Sequence, residues 1–193
     1  MMLNRHACER RVYRLASLLT GNPHAAIGVI ESAIDAQPDL RRPDSAHLDR
    51  LTVLRSREIR PGRIDDAALS RAVAAALAAL SAQQREAWVL RHVYRTPFRE
   101  TARAMDCSIT ATHRHLKRAE ESMNATLADD ATQAGRDLLR YSLSLDVPPF
   151  YHRRRERRAR LRQLVLLAAT LLALGAFLAA ARLLKDLIAA DLP

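Results

Sequence analysis

Residues 105–119 read MDCSITATHRHLKRA. A helix is expected to end at Met105, Asp106 to occupy a tight turn, and Ser108 to cap a second helix running from Ile109 to about Leu127. At about 100° per residue, Ile109, Thr112, Leu116, Ala119 and Met123 fall on one side of that second helix. Thr110, Ala111, Arg114, Lys117 and Arg118 fall roughly opposite. A short helix, a tight turn and a longer helix with a basic outer face is the layout of a helix-turn-helix, whose second helix enters the major groove of DNA with its first residues against base edges. The same charges would suit the solvated face of an ordinary bundle helix. Turn spacing and capping residues favour the helix-turn-helix.

Working back from the turn, Thr96-Pro97 reads as an N-cap followed by proline at the first helical position, which opens a short helix over 97–105. Ser81 and Gln84 have capping-box spacing and start the helix that carries Trp88, Val89 and Leu90. An Ala-rich helix is expected over 65–80, its acidic start suited to the positive end of the helix dipole. Before it, Pro61-Gly62 breaks the chain, and three further helices are expected at about 5–19, 24–36 (closed by Pro38) and 45–59. Beyond the helix-turn-helix, 131–145 reads as one more amphipathic helix. With only five Gly and no strand-like alternation, the chain is read as all-α, built of two small helical modules, the second a helix-turn-helix.

The net charge is +10 over 193 residues, and it is concentrated. Residues 152–162, HRRRERRARLR, hold seven Arg against one Glu, and residues 85–118 hold eight Lys or Arg against three acids. The rest of the chain nets −1. Two basic patches point to two anionic partners. Cys8 and Cys107 have neither disulfide-framework nor zinc spacing. His113 and His115, two residues apart, lie on different faces of a helix and do not form a metal pair. No HExxH, GxSxG, phosphate-binding glycine loop or paired carboxylates appear. The chain is therefore not read as an enzyme, and no catalytic, cofactor or metal residue is assigned.

Residues 164–181, LVLLAATLLALGAFLAAA, are 18 consecutive uncharged residues, and a helix of that length spans roughly 27 Å. A buried core helix is the other reading. The Arg-rich segment just before the run favours a transmembrane helix over 164–184 with the preceding body on the cytoplasmic side, and those arginines would be drawn to anionic headgroups. The expected location is the cytoplasmic membrane, single-pass. The N-terminus lacks a continuous apolar stretch and is not a signal peptide. The expected organisation is a helical module over 1–60, a linker at 61–64, a helix-turn-helix module over 65–128, a linker and Arg-rich juxtamembrane segment over 129–163, and the span.

Read together, ALAALSAQQREAWVLRHVYRTPFRETARAMDCSITATHRHLKRA, residues 76–119, resembles the fourth conserved region of bacterial RNA polymerase sigma factors, particularly the extracytoplasmic-function class. Leu77, Leu80, Gln84, Arg85, Glu86, Leu90, Arg91, Glu100, Ala102, Met105, Ser108, Leu116, Arg118 and Ala119 fall in step with that pattern without a gap. The resemblance implies docking on the upstream promoter element and on the beta flap of the polymerase core. It also implies that Thr110, Ala111 and Arg114 face bases while His113, Lys117 and Arg118 lie near phosphates. Arg is the side chain best suited to a bidentate contact with guanine, so Arg114 is the leading candidate for reading sequence.

Two departures stand out. The family's usual TVKSR is ATHRH here, at 111–115, which exchanges a Lys and an Arg for His113 and His115. Less charge at neutral pH predicts weaker phosphate binding that strengthens below about pH 6.5. The turn's usual glycine is Asp106, which tolerates the left-handed conformation better than most residues.

Residues 12–26, VYRLASLLTGNPHAA, are similar to the start of the family's second region. The acidic core-binding signature that follows has Ile27 and Gly28 in place of its leading acids. Residues 47–60, where the family carries aromatics that hold the unpaired strand, contain none, and Tyr13 is the only aromatic before Trp88. Base-stacking platforms are worth roughly 1–3 kcal/mol per base, so this second region is degenerate.

The leading reading is a sigma-factor-like transcription initiation protein, tethered to the membrane, whose partners are promoter DNA and the polymerase core through beta flap and beta-prime clamp. The resemblance leaves an anti-sigma factor open as a further partner. The alternatives are a membrane-anchored helix-turn-helix regulator that no longer engages polymerase, and a membrane signalling adaptor that does not bind DNA.

Overall fold

A computed structural model describes residues 5–36 and 45–190, with side chains in the last helix described in part and only as far as residue 175. The regular elements among the described residues are all helices: α1 Arg5–Thr20, α2 Pro23–Asp35, α3 Ser45–Ser56, α4 Arg71–Ala79, α5 Ala82–Trp88, α6 Phe98–Ala104, α7 Ile109–Leu127, α8 Ala131–Ser144 and α9 Pro149–Ala190. A π turn, Val89–Val93, continues α5 and a 3₁₀ turn, Ala128–Asp130, follows α7. Pro38 lies outside the described residues.

Local chemistry sets most of these boundaries. Gly21 ends α1 at φ +70, and the Asn22 side chain then accepts from the amides of His24 and Ala25 with Pro23 at the first position of α2. The Ser81–Gln84 capping box forms as expected. α4 starts later than the expected residue 65. Asp66 instead folds its side chain onto the Ala68 amide at 2.8 Å and makes a turn there, an outlet that aspartate offers the backbone in competition with helix. Thr96 is not a cap: Pro97 takes that position without a side-chain bond, and the Thr96 carbonyl accepts from Arg91 Nη1 and the Thr101 hydroxyl.

The chain divides into two compact units, 1–147 and 148–193. In the first, α1, α3 and the helix-turn-helix region share one core, joining Leu15 and Leu18 of α1 and Val53 of α3 to Leu77, Trp88, Leu90, Met105 and Met123. α1 packs on α2 and α3, α3 on α6, α4 and α5 on α7, and α8 on the π turn. A Cβ on Gly21 would fall 2.1 Å from the Gly62 carbonyl oxygen, and the Gly62 amide donates to Thr20 O at 2.7 Å. Gly62, in the expected 61–64 linker, thus lies directly against Gly21, because only glycine permits two backbones to approach so closely.

The second unit is dominated by α9, a helix of 42 residues. Here the expected transmembrane helix over 164–184, and with it the single-pass location in the cytoplasmic membrane, is corrected: among the described residues no helix is long and apolar enough to cross a membrane. The apolar run is one part of a helix that begins at Pro149 and carries the Arg-rich segment. Residues 164–175, whose side chains are described and exposed, cover only about 18 Å against a hydrocarbon core of about 30 Å. The rest of the expected span, 176–184, lies outside the described side chains.

Candidate nucleic-acid interface

The site is the α6–turn–α7 corner. α6 ends at Met105, Asp106 turns the chain at φ +53, and the Cys107 amide returns to Ala102 O at 3.1 Å. Ser108 then caps α7 by accepting from the Ala111 amide at 3.2 Å, an interaction typically worth about 1 kcal/mol. Thr112 is buried, with its hydroxyl donated to Ser108 O at 3.0 Å. Ala119, Met123 and Leu127 continue the buried stripe, and Leu116 packs at its margin.

Thr110, His113, Arg114, Lys117 and Arg118 are exposed along the outer side of α7, and Ala111 is half-buried beside them. The six side chains therefore share one helix. Among the described residues Arg114 and Arg118 form no ion pair, whereas Lys117 faces Glu121 at 4.0 Å, a surface pair worth little. The His113 ring leans edge-on against Phe98 of α6, with centroids 6.0 Å apart. His115 is half-buried, and its pKa is lowered first by burial and then by Arg114, Arg118 and Arg57. Its charge appears at lower pH than its ordinary value implies, so it adds less to acid-strengthened binding than the sequence predicts.

Ile109 was expected on the core side but is 55% exposed. Ile109 is the first residue of α7 and flanks the turn rather than the core. Arg99 and Arg103 of α6 are exposed too and line, with Cys107, Ser108 and Ile109, an open groove along the turn. Sequence reasoning passed over these two arginines because no periodic argument places α6 beside the start of α7. Conversely, Arg85, counted in the basic patch, is 0% exposed: it donates to Leu18 O at 2.7 Å and Gly62 O at 2.8 Å, and burial lowers its pKa to about 10.

Residues 70–123 match the family model described as Sigma-70, region 4. The match takes in α4, α5, α6 and α7 as far as Met123, with all six α7 residues named above. This part of the chain is thus similar to sigma-70 region 4 and folds as a helix-turn-helix, a likeness that suggests DNA binding, with promoter DNA and the RNA polymerase core as the partners the family implies. No curated protein matches the chain.

Proposed function

We propose that this protein is a sigma-factor-like transcription initiation protein, of the extracytoplasmic-function class, that reads promoter DNA through the N-terminal half of α7 and engages RNA polymerase core. The observation that carries this reading is the exposed basic face of α7, on which Arg114 and Arg118 pair with no acid among the described residues, on a capped helix-turn-helix within the region 4 match. In this reading Arg114 takes a guanine edge, Ile109 offers an apolar surface to a thymine methyl, and Lys117, Arg118, Arg99 and Arg103 serve phosphates. The beta flap is the polymerase surface that α4 to α7 would meet.

The test is core-polymerase binding by the full chain, followed by run-off transcription from duplexes selected out of a randomised pool. Promoter-dependent transcripts support the proposal. Selective DNA binding without polymerase binding would replace it with the second reading, a helix-turn-helix regulator that has lost polymerase engagement. One observation favours that second reading: Tyr13, the only aromatic before Trp88, is buried. The N-terminal helices therefore present no Phe, Tyr or Trp on which an unpaired base could stack.

A further inference from the structure

The helix-turn-helix is gripped by residues outside its own sequence. α3 packs on α6 and brings two arginines to the turn, Arg50 from within it and Arg57 from just past its last residue, where the Arg57 amide still donates to Val53 O at 3.3 Å. Arg50 and Arg57 are seven residues apart, two helical turns, and so project from the same side. Arg50 Nη2 lies 2.9 Å from Asp106 Oδ1. Arg57 donates from Nε and Nη2 to Glu86 Oε1 and Oε2 at 2.8 and 2.7 Å, and Nη2 also reaches Met105 O at 2.6 Å. Met105 and Asp106 are the two residues on which the chain reverses between α6 and α7.

Each of these bonds meets a local need. The Met105 carbonyl sits at the C-cap of α6, where helix geometry supplies no partner for it. Asp106 is a non-glycine residue in the left-handed region, a conformation that persists when its surroundings over-determine it. The Glu86 side chain is 3% exposed, so the fork it shares with Arg57 is a charge-assisted bidentate pair sheltered from screening. Glu86 belongs to α5, which packs against α7. One guanidinium thus ties the helix behind α7 to the carbonyl from which α7 departs, and it comes from residue 57, before the region 4 match begins.

We propose that Arg57, assisted by Arg50, is a positioning residue of the DNA reader: it sets the direction in which α7 leaves the turn, and so governs sequence discrimination without touching DNA. This rests on the proposal that α7 reads DNA. Base-edge hydrogen bonds tolerate errors of only about 0.5 Å, and Thr110 and Arg114 follow the turn within two helical turns. Phosphate contacts, being less directional, would survive a loosened turn.

The experiment compares full-length wild type with Arg57→Lys, Arg57→Met and Arg50→Gln, using three readouts: hydrogen exchange of the Asp106 and Cys107 amides, the affinity ratio between a selected duplex and a scrambled one, and the salt dependence of binding. In Arg57→Lys, exchange at the two turn amides should accelerate about tenfold while amides in the middle of α1 are unchanged. The affinity ratio should fall about tenfold, with the salt slope preserved because no phosphate contact is lost. Arg50→Gln, at a solvent-exposed pair, should show the same pattern in smaller measure, and it decides the matter if Arg57→Met fails to fold. Unchanged turn exchange, uniform acceleration across the unit, or a salt slope smaller by about one would each overturn the inference. A wild-type chain without a preferred duplex would sink the DNA-reading proposal instead, and the exchange data would still decide whether Arg57 holds the turn.

Discussion

Two sets of arginines divide the labour of the first unit. Arg11, Arg14, Arg57 and Arg85 point inward and join helices. Arg11 forks onto Asp49 at 2.8 and 2.6 Å with its guanidinium 5.7 Å from the Tyr94 ring centroid, and Arg14 donates to the carbonyls of Leu143 and Leu145 at the end of α8. Arg114 and Arg118 point outward along α7 and pair with no acid among the described residues. The residue type is the same and the formal charge is the same, yet the first set holds the molecule together and the second is available to a polyanion. A planar fork with five donors suits both tasks, so what separates them is whether carbonyls or carboxylates lie within reach. Counting charge along the sequence therefore overstates the surface patch.

Breaking the inner set should cost the most. Gly21→Ala places a Cβ against the Gly62 carbonyl at an already left-handed residue, beside the Arg85 fork. We expect a loss of at least ~4 kcal/mol, or failure to fold, in chemical denaturation. Arg85→Met keeps much of the volume but strands Leu18 O and Gly62 O, and should cost about 3 kcal/mol, with DNA affinity per folded molecule unchanged. If Arg85→Met instead weakened DNA binding while leaving stability intact, the division between the two sets would be wrong.

Outward substitutions should reverse that pattern. Arg114→Ala should leave stability within about 0.5 kcal/mol and cost about 2 kcal/mol in affinity for the selected duplex, with discrimination relaxed at a single base pair in a binding titration. Lys117→Ala should weaken all duplexes alike and reduce the salt slope by about 0.9. The smallest effect should be His115. Its lowered pKa favours the neutral ring in the folded state, so the stability it contributes is present above its ordinary value of 6.5 and is lost as pH falls through the lowered value. The stability of wild type minus that of His115→Gln should therefore be flat above about pH 7 and decline on acidification, as measured by denaturation at a series of pH values.

Sequence reading succeeded where a local rule decides the outcome. The capping box at Ser81, the cap at Ser108, the left-handed Asp106 and the helices over 109–127 and 131–145 all follow from neighbours within a few residues. It went astray where two acceptable local outcomes compete. Asp66 could open a helix or fold a turn, and Thr96-Pro97 could cap in either register. The apolar run after residue 163 reads alone as a span, but it belongs to a longer helix that includes the arginines before it. The π turn at Val89–Val93 carried no sequence signal, although it brings Trp88, Leu90 and Val93 together into the core.

What the sequence by itself determined is the helix-turn-helix: the caps, the turn and the α7 stripe depend on residues three or four apart, and helix geometry converts that spacing into a face. What only the tertiary structure decided is how the helix-turn-helix is held. Arg57 meets Glu86 across 29 residues and Met105 across 48, and Arg85 meets Leu18 across 67. At such separations no periodicity connects the partners. A buried donor or acceptor must find its mate wherever the packed helices bring one, and that requirement is met in three dimensions only.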